Sequence, residues 1–218
     1  MPETRRGRPR STSARELELI ALRLFSAQGF DETTVDQIAA EAGVSRRTFF
    51  RYFDAKSSVL WHAFDDEVAS LRAMLDSLPT ELPVLVAVRR AVLAVNHYSA
   101  ADVPELRTRM TLISSSPELA ASAATHYDAW ERAISGFVGT RIGEPADSLY
   151  PLTVGRVTLA ACRAAYERWA ELGDAELRHY LDAALQAVAA GFRDDALGPE
   201  PRGRRPRPRP APAPAIRV

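Results

Sequence analysis

The chain has 218 residues, enough for one compact unit or for a small domain and a larger one, and at 46% hydrophobic content it can bury a sizeable core, while charges interrupt its apolar runs too often for a membrane span. Its single cysteine, Cys162, excludes an intramolecular disulfide framework and suits a reducing cytoplasm, and its Arg-rich start lacks the apolar stretch of a secretory signal. The 28 basic and 28 acidic residues cancel, but ten of the basic and only two of the acidic ones lie at the two ends, so a net acidic body carries basic termini.

Residues 1–10 contain Arg5, Arg6, Arg8 and Arg10 among Pro2, Gly7 and Pro9. They are expected to form a disordered basic arm, and either a phosphate-tracking or a merely solvated role is open. Leu17, Ile20, Ala21, Leu24 and Phe25 then make an apolar stripe that predicts a first helix from about Thr12 to Gln28, ended by Gly29. In the next segment Thr34 is an N-cap residue, and Gln37 completes a capping box. Val35, Ile38 and Ala39 give that second helix its apolar face, and Gly43 supplies the turn that stops it. Ser45 caps a short third helix that begins Arg46-Arg47-Thr48.

Two helices joined by a Gly-containing turn form a helix-turn-helix, whose second helix enters the DNA major groove. Arg46 and Arg47 suit guanine, and Thr48 offers a hydroxyl and a methyl. Thr33, Thr34, Ser45, Phe50, Arg51, Tyr52 and Lys56, the only lysine, complete the expected DNA-contacting set. Phe49 and Phe53 are expected to face inward and pin the helix.

A fourth helix is expected over Ser57–Ser77, with a break at Pro79 and Pro83. Helices follow near 82–101, 104–114, 117–140, 148–172 and 174–196, with no alternating β pattern. Residues 198–218, rich in Pro, Arg and Ala, cannot pack a core and are expected to be disordered. The fold class is therefore all-α, and the boundaries read as an arm at 1–10, a helix-turn-helix domain at 11–56, a larger helical domain at 57–197 and a tail at 198–218.

The stretch Thr33–Lys56, with Ile20–Phe25 and Gln28-Gly29-Phe30 upstream, resembles the N-terminal domain of TetR-family transcriptional regulators. The likeness covers about residues 13–62. Phe50 departs from it, standing where the family usually has Tyr, and loses a hydroxyl. A narrower likeness is to regulators of the mycofactocin redox-cofactor system, carried by Ser45–Phe53, Trp61, Phe64-Asp65, Leu71-Arg72-Ala73 and Ala164–Trp169. The resemblance implies a homodimer on a palindromic double-stranded DNA operator. It also implies that the larger domain senses a ligand and dimerises through its last two helices, for which Leu152, Gly155, Leu159, Tyr166, Leu177, Leu181, Leu185 and Val188 are the candidate seam.

A pocket would take its apolar lining from Trp61, Met74, Met110, Ile113, Tyr127, Trp130 and Cys162, with Asn96, Tyr98, Arg107, His126 and Arg163 as polar groups. Arg107 and Arg109 at its mouth suit a phosphate or carboxylate, hence an acyl-CoA or another apolar or amphipathic effector. A DNA-binding or architectural protein with a filled second domain is the rival reading. An enzyme is disfavoured, because no nucleophile elbow, glycine-rich phosphate loop, CxxC or HExxH occurs, and His62, His97, His126 and His179 lack metal-site spacing. No cofactor is implied.

Overall fold

The computed structural model describes residues 12–191, and the expected arm and tail lie outside them. Among the described residues there are nine α-helices, one 3-10 turn and no strand. Three helices make the head: α1 (Ala14–Gln28), α2 (Val35–Glu41) and α3 (Arg46–Phe49). Ser13 accepts a hydrogen bond from Glu16 N at 3.1 Å, so α1 starts two residues later than expected, and Gly29 ends it at φ 92°. The Thr34–Gln37 capping box forms as read, Gly43 turns at φ 67°, and Ser45 caps α3 through Thr48 N at 3.1 Å.

The expected helix over Ser57–Ser77 divides into a 3-10 turn (Ser57–Trp61) and α4 (Phe64–Ser77). Val59, Leu60 and Trp61 are all buried in the head's core. Asp65, Asp66 and Glu67 then occupy the first turn of α4, where the helix dipole favours negative charge.

The body comprises α5 (Val84–Val95), α6 (Val103–Ser115), α7 (Pro117–Ile142), α8 (Leu149–Leu172) and α9 (Leu177–Ala189). α5 stops short of the expected residue 101 because Asn96 leaves helical geometry and donates its side-chain amide to Val92 O at 2.8 Å. α9 starts at 177 rather than 174 because Glu176 is extended. α7 and α8 approach closely at Gly155, where a Cβ would come within 2.4 Å of Ser135 Oγ.

Two apolar clusters result. The body's core gathers α4, α5 and α7–α9 around Ile134, Trp169 and Leu181. The head's core surrounds Phe25 and Phe49 and takes in Val59, Leu60 and Trp61, together with Leu112, Ile113, Leu119 and Ala123 of α6 and α7. The expected boundary at 56/57 therefore falls inside the head's own core, which runs through Trp61.

Candidate functional site

On the head, Arg46, Arg47, Phe50 and Arg51 are exposed, while Phe49 is fully buried against Phe53, ring centroids 5.4 Å apart. Arg46 lies 3.0 Å from Asp36 and over the Phe50 ring. Both partners of that ion pair are more than half exposed, so it is worth little and leaves Arg46 free to reach a base. Thr34 and Ser45 are also exposed, and Thr48, half-buried, pairs its hydroxyl with that of Ser45 at 2.9 Å.

Three members of the expected DNA-contacting set have internal work. Thr33 is buried: its hydroxyl donates to Gly29 O at 2.7 Å and accepts from Gln28 at 3.0 Å, so it braces the loop. Tyr52 is half-buried, donates to Thr12 O at 2.8 Å and ties down the start of α1. Lys56 donates to Phe30 O at 2.7 Å and sits 3.9 Å over the Phe30 ring, which leaves two of its three ammonium hydrogens for a phosphate.

A cavity of about 1190 Å³ lies between the head and the body. Of the expected lining it holds Trp61, Met110, Ile113, Tyr127, Trp130, Cys162, Asn96, Tyr98 and Arg163. The other three stand outside it. Met74 packs against the body's core. Arg107 places its guanidinium over Trp169, 4.7 Å from the ring. His126 stacks on Trp61 at 4.6 Å, behind the lining, where burial lowers its pKa against the opposing pull of Asp65.

Tyr166 and Leu159, expected at a dimer seam, face the cavity instead. Tyr166 donates its only hydrogen to Asn96 Oδ1, so Tyr98 must donate to Tyr166, at 3.2 Å. Burial pushes the Tyr98 phenol and the Cys162 thiol each up to about 12. It also raises the Glu67 carboxyl, which lines the cavity, partly countered by Arg109.

Of the remaining seam candidates, four turn inward. Leu177, Leu181 and Leu185 are buried in the body's core, and Gly155 faces α7. Leu152 and Val188 are half-buried. The outward faces carry Thr153, Arg156, Ala160 and Ala164 on α8 and Ala183 and Gln186 on α9, with Ala190 just past its end, all exposed. The stripe of larger apolar residues is the one a single chain needs for its own core.

An ion cluster that was not foreseen lines the cavity where head meets body. Arg109 of α6 donates to Glu18 of α1 at 2.5 Å, to Glu105 at 2.9 Å, and to Leu60 O. Arg15 of α1 donates to Glu18 at 2.8 Å and to Glu105 at 2.7 and 2.5 Å. Burial opposes the charge of Glu105, but the Arg15 and Arg109 guanidiniums outweigh it and hold its carboxyl below the ordinary range. The sequence did carry one signal: Glu18 shares the register of Ala21, Leu22 and Phe25 on the buried face of α1.

Residues 20–61 match the family model of bacterial regulatory proteins, tetR family, and residues 82–193 match the model of the MftR C-terminal domain. A Mycobacterium tuberculosis protein named for regulation of mycofactocin biosynthesis, MftR, is 36% identical over 190 residues, 87% of this chain and 96% of its own. The HTH-type transcriptional regulator TcmR of Streptomyces glaucescens is 28% identical over 83% of this chain and 80% of its own. Among solved structures, Thermus thermophilus FadR, a TetR-family repressor in complex with lauroyl-CoA, is 24% identical with a TM-score of 0.54, covering 93% of this chain and 100% of that one. The complex of SmeT, a repressor from Stenotrophomonas maltophilia, with triclosan is 19% identical with a TM-score of 0.57, covering 87% and 99%. These two structures share the fold.

Proposed function

The chain belongs to the tetR family of bacterial transcriptional regulators and carries the MftR type of C-terminal domain, and from this premise we propose that it is a repressor that binds a palindromic operator as a homodimer and is released by a small apolar or amphipathic effector. It is a regulator and not an enzyme. The observation that carries the proposal is the cavity beside the head: its wall includes Arg15 and Glu18 of α1 as well as body residues, so whatever fills it touches the head directly. The rival reading, regulation without an effector, is disfavoured by that volume, since a body built only to dimerise gains from filling it.

Two subunits pair through the outward faces of α8 and α9, whose small residues permit close approach, and the two copies of α3 then read half-sites about one DNA turn apart. Residues 12–61 act as the head, with Arg46, Arg47 and Thr48 toward the bases, and Arg51 and Lys56 toward phosphates. The protein works where the chromosome is, in the cytoplasm. Among the described residues no helix is long and apolar enough to cross a membrane. Acyl-CoAs and small apolar compounds are the effector classes to test first, since the FadR structure holds lauroyl-CoA and the SmeT structure triclosan.

A gel shift with DNA from immediately upstream of the protein's own gene, at two salt concentrations and with unrelated competitor DNA, tests the proposal. Binding that survives the competitor and weakens when an acyl-CoA is added is expected. Binding that the competitor abolishes would contradict it.

Arg46→Ala is expected to weaken operator binding by about 1–3 kcal/mol, roughly five- to 150-fold, and to relax preference at one base position. Anisotropy titrations against the operator and single-base variants check this. An unchanged base preference would remove Arg46 from the reading set.

A further inference from the structure

Glu18 is a charged side chain of the head, only 1% exposed, and such a group is tolerated only when it is paired. One of its partners, Arg15, is on the same helix; the other, Arg109, belongs to the body and is 14% exposed. Arg109 also holds Leu60 O in the 3-10 turn, so one guanidinium joins α1, α6 and the segment that follows the reading helix. Arg15, Glu18, Glu105 and Arg109 all line the cavity.

Both guanidiniums are already committed to carboxylates. An anionic ligand group simply added beside them would meet the carboxylates of Glu18, Glu67 and Glu105, which also line the space. It can be seated only by exchange, taking Arg109 and Arg15 in place of those carboxylates. A carboxylate or phosphate is the chemistry that competes for a guanidinium on equal terms. After the exchange Glu18 is a buried charge without its counter-charge, which is strongly unfavourable. Uptake of a proton relieves it, and so does a turn of α1 that brings Glu18 toward water; the second course moves the head. α1 shares the head's core with Phe49 of α3, so the reading helix moves with it.

Resting on the regulator reading above, we propose that the effector is an amphipathic anion that acts by ion exchange: its acidic group captures Arg109 and Arg15, and the stranded Glu18 carboxylate drives α1 out of the geometry that grips the operator. Arg109 is thus a positioning residue for DNA binding, and Glu18 is the charge that it holds in check until the ligand arrives. The apolar body of the ligand lies along Trp61, Met110, Ile113 and Trp130.

Full-length Glu18→Gln, Arg109→Gln and the double variant test this by operator affinity without any ligand. Arg109→Gln leaves Glu18 with only the half-exposed Arg15 and is expected to lose operator affinity by roughly tenfold or more, whereas Glu18→Gln, which keeps the shape and drops the charge, stays within about threefold of wild type. The double variant has no charge to strand and is expected to recover to within about threefold as well. A merely structural role for the cluster makes the losses add, so a double variant no better than Arg109→Gln overturns the proposal, as does Arg109→Gln binding like wild type.

In a second arm, lauric acid and lauroyl-CoA weaken wild-type operator binding and leave that of Glu18→Gln unchanged, while uncharged 1-dodecanol affects neither. Response to the acid alone assigns the exchange to a carboxylate, and response to the CoA ester alone to its phosphates. Release by dodecanol equal to release by the anions, or no release by either anion, overturns the exchange. Wild-type protein that binds no operator at all defeats the regulator reading, an outcome distinct from any of these.

Discussion

Phe49→Ala is expected to abolish operator binding by melting the head, at a cost of about 3–5 kcal/mol. Phe49 has no exposed surface, and its ring lies 5.4 Å from those of Phe50 and Phe53. α3 has four residues, Arg46–Phe49, too few to hold a helix by propensity alone, so this side chain decides where Arg46, Arg47 and Thr48 point. The neighbouring substitution separates fold from contact. Phe50 is 41% exposed, and Phe50→Ala is expected to leave the melting temperature nearly unchanged. Thermal melts by circular dichroism, run with gel shifts on both variants, check the pair. A Phe49→Ala protein that melts like wild type would contradict this packing.

The second large effect belongs to the body. Trp169 is 1% exposed and sits on α8 in the core shared with Leu177, Leu181 and Leu185 of α9, with the Arg107 guanidinium over its ring at 4.7 Å. Trp169→Ala is expected to destabilise the body by about 3–5 kcal/mol, because so large a void cannot collapse between long helices. It belongs to the body's core, yet it should weaken operator binding, since α8 and α9 present the proposed pairing face. Denaturant unfolding and sedimentation velocity measure the two consequences. Loss of stability with dimerisation and operator affinity intact would mean that the subunits pair elsewhere.

The features legible in the sequence are those whose chemistry is local. The Thr34–Gln37 box, the Gly43 turn and the Ser45 cap each join residues three or so apart, and each forms as the spacing dictates. The all-helical fold followed from apolar periodicity, a signal every helix carries for itself. What remained hidden depends on partners distant in sequence. Glu18 and Arg109 meet across 91 residues, and no local pattern announces the pairing. Arg107 and Arg109 read alike as mouth residues, but two positions on a helix stand about 200° apart. One reaches Trp169 and the other reaches α1. The small and apolar stripes of α8 and α9 were ambiguous for a related reason: periodicity reveals that a face is buried and is silent on whether its own chain or a second copy buries it. The break at Trp61 is tertiary, set by a head core that needs Val59, Leu60 and Trp61 together.

The most direct test of the central claim, sequence-specific reading of DNA by two copies of α3, is selection of bound duplexes from a random DNA library by the purified full-length protein, followed by sequencing. Enrichment of a two-fold palindrome with half-sites about one helical turn apart is the predicted result, with Arg46→Ala relaxing the same position in both halves. Failure to enrich any sequence over successive rounds, while the protein still retains DNA at low salt, would contradict the claim and leave only charge-driven, non-specific binding.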